Sequence, residues 1–289
     1  MNAFLAASVT FWALIGHIPQ VAALTLAEIG EEARPSTVHI SYDATDPETG
    51  AVSVVNGSGF VVSSSGYVMT AYHVLEPWMA QPEAQRLQRS IMVRLGSIHN
   101  ESLTAELVEY NASATVGGGA DLAVLRIRRS ATYATADFCY IENRPIGSRI
   151  FAFGFPAGQE LNYAEGAIAN PDGVGDRWTA NINFDYGMSG GPVYDDLGRV
   201  IGVVKGGMKG VQPVRYITRL LRARSLLIDY GIDVERCDNP SPATSKSAQS
   251  SNSVIPTLNN SECNKIGFTD YSTFPPTFKT EVVCSEGKP

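Results

Sequence analysis

The chain has 289 residues, 44% hydrophobic and 18% charged, which leaves ample material for one core-bearing domain plus appendages. Twenty-nine acidic against 22 basic residues give a net charge of -7, which disfavours a phosphate backbone as partner, and no nucleic acid is expected. Neither a C-x-x-C cluster nor an H-E-x-x-H helix occurs, so neither a metal nor a cofactor is expected, and 27 glycines suit a turn-rich β fold.

Residues 1–23 hold no charged side chain, run apolar from Phe4 to Ile15 and finish in Val21-Ala22-Ala23, whose small residues suit cleavage after Ala23. They read as a signal peptide lacking the usual Lys or Arg near Met1, and they point to a secreted or periplasmic protein. An uncleaved anchor is the other reading, but Gly16, His17 and Pro19 interrupt a run already short for a spanning helix. No stable membrane insertion is expected once the leader is gone.

Ser58 to Val74 reads as an apolar strand, a Ser/Gly turn at Ser63-Ser64-Ser65-Gly66, and a second apolar strand ending at His73. A hairpin is a rigid support for a general base, and histidine is the side chain whose ordinary titration suits that task. A core histidine that merely fills space is the alternative. The chain offers three other histidines: His39 alternates with Val38 and Ile40 and reads as structural, His99 lies in a polar stretch, and His17 belongs to the leader.

Asp121 follows Gly117-Gly118-Gly119-Ala120 and opens the strand Asp121-Leu122-Ala123-Val124-Leu125-Arg126-Ile127. A carboxylate entering a buried strand is costly unless it is paired, and pairing with an imidazole would fix the tautomer of a catalytic base. An aspartate satisfied by nearby backbone amides fits as well.

In Gly187-Met188-Ser189-Gly190-Gly191-Pro192 a hydroxyl is held on a tight turn beside bare backbone N–H groups, as acyl transfer requires. Taken alone, such a turn is also ordinary loop punctuation. Gly187 to Gly191 fits G-x-S-x-G, but that elbow needs a histidine downstream of the serine and all four histidines lie upstream. Farther on, Ile217, Leu220, Leu221, Leu227 and Ile228 recur at helical spacing and Gly231 is a natural stop. Residues 238–261 are rich in Ser, Asn, Pro and Thr and read as a linker, leaving a short Cys-containing extension at 262–289.

The blocks Gly57-Ser58-Gly59-Phe60-Val61-Val62, Thr70-Ala71-Tyr72-His73-Val74, Asp121-Leu122-Ala123-Val124-Leu125, Phe153-Gly154-Phe155-Pro156 and Gly187 to Pro192 stand in the order seen in trypsin-like serine proteases. Over roughly residues 33–230 the chain resembles most the bacterial HtrA/Deg-type branch. The resemblance implies an all-β, chymotrypsin-like fold: two perpendicular six-stranded antiparallel β-barrels with a C-terminal helix, the protease domain spanning 28–235. It implies a secreted serine endopeptidase acting on proteins or peptides through an acyl-enzyme. His73, Asp121 and Ser189 would be catalytic, and the amides of Gly187 and Ser189 would form the oxyanion hole.

By the same resemblance Asn183, Phe184, Val204, Gly206 and Met208 would line the pocket for the residue before the scissile bond. Asn183, not an acid, stands six residues before Ser189, which disfavours Lys or Arg there and suggests a small or medium apolar side chain. Core packing is the other reading of Phe184 and Met208. Two features depart from the family. Met188 replaces the usual Asn or Asp before the serine, so no new N-terminal ammonium can pair there, and residues 262–289 are too few for a PDZ domain. A protease-like binding or scaffold protein with a silent triad is therefore the alternative.

Cys139, Cys237, Cys263 and Cys284 form an even set behind a leader, which suggests two disulfides with three pairings open. Cys139 with Cys237 and Cys263 with Cys284 is the pairing expected, the first tying the end of the catalytic domain back to the second barrel.

Overall fold

The structure, a computed structural model, describes residues 23–112, 120–173, 177–207 and 214–237, together with the strands at 263–270 and 277–284. All but Ala23 of the expected leader, the linker and Met208 lie outside the described residues.

Helix α1 (Leu26–Ser36), which the sequence reading did not identify, precedes the first barrel strand. It starts at a reciprocal cap: the Thr25 side chain accepts from the Glu28 amide, and the Glu28 carboxylate accepts from the Thr25 amide. Ile29 and Ala33, four apart on one face, are fully buried. Then come β1 (Thr37–Thr45), β2 (Val52–Ser63), β3 (Tyr67–Thr70), α2 (Tyr72–Met79), α3 (Glu83–Gln88), β4 (Ile91–Leu95), β5 (Leu103–Asn111) and β6 (Leu122–Ile127). The strands close into an antiparallel barrel in the order β1-β2-β3-β6-β5-β4.

A second closed antiparallel barrel is built from β7 (Arg149–Gly154), β8 (Asn162–Gly173), β9 (Arg177–Asn181), β10 (Pro192–Tyr194), β11 (Val200–Gly207) and β12 (Val214–Arg219). Its order is β10-β11-β12-β9-β8-β7. Two closed six-stranded barrels are the chymotrypsin-like architecture implied by the sequence resemblance.

Strand alternation explains why the inner strands are apolar on both faces. Phe60, Val62, Met69, Leu122 and Val124 face the seam between the barrels, where they meet Phe151, Phe153, Tyr194 and Val203. The alternate residues Val61, Val68, Ala123 and Leu125 fill the first barrel. Ile150, Ala152, Val193, Ile201 and Val204 fill the second. Helix α1 caps the seam with Ile29 and Ala33, so both barrels share one continuous apolar layer.

Two local readings need correction. The strand read as ending at His73 stops at Thr70, and His73 sits in the first turn of α2. The helix read from Ile217 begins later, because Ile217 and Thr218 are held in β12 by pairing with Trp178 and Arg177 of β9. Leu220–Tyr230 then coils through a 3-10 turn, α4 (Arg224–Leu227) and a second 3-10 turn, closing on Gly231 at φ +70°.

Cys139 and Cys237 form a disulfide with Cα atoms 5.1 Å apart, in the core of the second barrel. Strands β13 (Cys263–Asp270) and β14 (Thr277–Cys284) pair antiparallel with Cys263 opposite Cys284. The expected second disulfide concerns side chains outside the described residues. No described helix is long and apolar enough to cross a membrane.

Candidate active site

His73 is placed by the start of α2, and the helix end itself explains how. The residue before the helix is Ala71, which has no side-chain acceptor to satisfy the first amides. Asp121 supplies what is missing: its main-chain carbonyl accepts from the Tyr72 amide at 3.2 Å and its Oδ1 from the His73 amide at 2.9 Å. The other carboxylate oxygen, Oδ2, lies 2.9 Å from His73 Nδ1. One aspartate thus fixes both the backbone and the ring of the histidine, leaving Nε2 as the outward nitrogen.

Asp121 is 1% exposed and sits at φ +55°, a left-handed conformation rare for a residue with a side chain. Lys205 of β11 also donates to Oδ2. Burial alone would push the Asp121 carboxyl up, but the charges of His73 and Lys205 and their hydrogen bonds outweigh it and hold the group far below the usual carboxylate range. Burial pulls the Lys205 ammonium down, with Asp121 opposing that pull.

Ser189 occupies the turn between β9 and β10, and each side of the turn is tied down. Its carbonyl accepts from the Ser58 amide of β2 at 2.8 Å, and the Gly190 amide donates to the Val204 carbonyl of β11 at 2.8 Å. The buried Ser58 hydroxyl donates to the Gly187 carbonyl at 2.7 Å and accepts from the Phe155 amide at 2.9 Å. Gly187 and Gly190 have φ of +95° and +84°. A Cβ on Gly187 would lie 2.5 Å from the Phe155 carbonyl oxygen, and one on Gly190 would lie 2.2 Å from Thr70 Oγ1, so neither position admits a side chain. Among the described residues, the amides of Gly187 and Ser189 donate to no main-chain carbonyl.

Two glycines, one beside Ser189 and one beside Lys205, mark where the Ser189 turn meets its surroundings. Gly190 abuts Thr70 and Ala71, the residues leading into His73. The Cβ position of Gly206 lies 4.0 Å from Ser189 Oγ, one residue from the Lys205 that contacts Asp121. Lys205 is the functional neighbour that the sequence reading missed, as is the Ser58 hydroxyl. The Gly57-Ser58-Gly59 spacing, a hydroxyl with no side chains beside it, is the signal that could have found the latter.

Met188 is 3% exposed and packs into the core of the second barrel. Phe184 and Val204 are buried in that same core. Asn183 is exposed, and its Oδ1 accepts from the Arg215 guanidinium at 3.4 Å, so the charge beside it is positive. Gly206 borders Ser189, whereas Met208 lies outside the described residues. His39 is buried, 2.9 Å from Asn56 Oδ1, and burial pulls its titration down; His99 is exposed and pairs with Glu160. Among the described residues no three or more His, Cys, Asp or Glu gather as a metal site would need.

The family model for the trypsin-like peptidase domain matches residues 57–203, a range that contains His73, Asp121 and Ser189. Serine protease HTRA3 of Homo sapiens is 24% identical over 211 residues, covering 68% of this chain and 44% of that protein. Serine protease HTRA2, mitochondrial, of Bos taurus is 27% identical over 191 residues, covering 62% of this chain and 37% of its own length. An uncharacterized protein, y4bJ, of Sinorhizobium fredii is 28% identical over 229 residues, covering 72% of this chain and 33% of that one. The chain therefore spans between a third and somewhat under half of these curated relatives. Among solved structures, the serine endoprotease from Yersinia pestis superposes with a TM-score of 0.54 at 20% identity, covering 73% of this chain and 68% of that one, a likeness of fold.

Proposed function

The chain belongs to the trypsin-like peptidase family, and we propose that it is a secreted or periplasmic serine endopeptidase in which Ser189 is the nucleophile, His73 the general base and Asp121 its orienting acid. The observation that carries this reading is the double grip of a buried, left-handed Asp121 on the amide and ring of His73, at the seam where the Ser189 turn is clamped.

In this mechanism Ser189 Oγ attacks the scissile carbonyl while its proton passes to His73 Nε2. The oxyanion that forms is met by the Gly187 and Ser189 amides. His73 then returns the proton to the leaving amine, an acyl-enzyme remains on Ser189, and water activated by the same imidazole releases the acid. Asp121 keeps the ring in the tautomer that presents a bare Nε2 and balances its transient positive charge. The Cys139–Cys237 disulfide and the charge-free leader support a destination outside the cytoplasm.

A fluorophosphonate probe and a peptide pool carrying varied residues before the scissile bond test the reading together. Labelling at Ser189, with hydrolysis lost in Ser189→Ala at unchanged thermal stability, is the expected result. Absence of labelling from neutral to alkaline pH would favour a silent binding protein. Cleavage chiefly after arginine would overturn only the pocket assignment built on Asn183.

A further inference from the structure

We propose that Lys205 is a positioning residue of this catalytic centre, one that pins the Asp121 carboxylate and sets the acidic edge of the pH range in which His73 can serve as a base. The inference rests on the functional reading above.

Lys205 lies at a bulge. In the β11–β12 ladder Val204 pairs with Ile217 and Gly206 with Tyr216, so Lys205 is an extra residue without a cross-strand partner. Gly206 beside it lies at φ +127°. Val203 faces the seam and Val204 the interior of the second barrel. Lys205, with a side chain 19% exposed, reaches Asp121 Oδ2, the same oxygen that meets His73 Nδ1.

Sharing one oxygen makes the ammonium and the imidazole close neighbours. Alone, the Asp121 anion would favour protonated His73. A fixed cation on that oxygen offsets part of the attraction and opposes a second positive charge beside it. A neutral donor at this position could hold the carboxylate equally well without that effect. The other groups facing the cluster are Arg177 of β9, whose charge has the same sign as Lys205, and Glu76 of α2, whose charge opposes both. Tyr72 and the Tyr110 ring stacked on it complete the surround. Lys205 thus acts on the base through its aspartate.

Two readouts on the full chain test this. One is kcat/KM for a peptide against pH; the other, which needs no turnover, is the pH at which the His73 ring signals move in proton NMR. Lys205→Met should shift the acidic limb and the ring titration together toward higher pH by roughly one unit. Lys205→Arg keeps the charge and should leave both near the wild-type position, and Lys205→Gln replaces the Met variant should that one not fold. Neutral variants whose ring titration stays at the wild-type pH would overturn the proposal. A wild type that neither cleaves peptide nor takes the probe, yet shows the ring shift in Lys205→Met, would remove the peptidase reading and leave the role of Lys205 standing.

Discussion

Asp121 concentrates more of this site's energetics than any other residue. Its carboxylate holds a helix amide, an imidazole and an ammonium while almost fully withdrawn from water. Because the folded protein holds this group below its ordinary value of 3.8, its contribution to stability is fully present above that pH and fades as pH falls toward the lower folded value. Asp121→Asn should lower turnover on the order of 10⁴-fold by upsetting the tautomer of His73. It should also cost about 3 kcal/mol of stability at neutral pH, since the Lys205 charge loses its partner. In denaturant titrations at a series of pH values the gap between the two proteins should narrow below pH ~4; a gap that stays constant with pH would show that the carboxylate charge is not what stabilises.

Among the elements, the Ser189 turn illustrates how rigidity is supplied from outside. The Ser58 hydroxyl bridges the Gly187 carbonyl and the Phe155 amide, so one side chain of the first barrel locks two segments of the second. Ser58→Ala leaves a buried acceptor and a buried donor without partners. About 2–4 kcal/mol of stability should be lost in urea unfolding, with a fall in kcat as the turn loosens; full activity at unchanged stability would mean the turn is held elsewhere. Which parts of this were legible in the sequence follows from the physics of each. His73, Asp121 and Ser189 stand out because their types and neighbours are expensive to bury without a purpose. Lys205 does not, because within Val203-Val204-Lys205-Gly206 it reads as one more strand position. Only a partner 84 residues away in the chain reveals its direction. The start of α2 was equally hidden, since the cap that allows it comes from Asp121 and not from a local residue.

At the scale of the whole molecule, the two-barrel architecture was legible only through the family resemblance of the sequence blocks; β2, β6 and β11 are apolar on both faces because each lies between two cores. Helix α1 was not legible, because its burial depends on a seam that exists only once both barrels have formed. The Cys139–Cys237 bond joins points 98 residues apart, enclosing most of the second barrel. Chain-entropy arguments assign such a loop about 4–5 kcal/mol. Cys139→Ser with Cys237→Ser should therefore lower the Tm by roughly 10 °C in a calorimetric scan, and reductant should lower wild type but not the double variant. Equal melting of both proteins would show the cross-link to be neutral.

The burial of Met188 carries one more consequence. The Ser189 loop is moored by a thioether sunk in hydrocarbon, and a mooring of that kind has no proton to lose as a solution turns alkaline. Nor does it wait for a cut elsewhere in the chain. Under the mechanism proposed above, the loop that carries Ser189 would owe its shape to neutral contacts, and to no charge that titrates or is released by clipping.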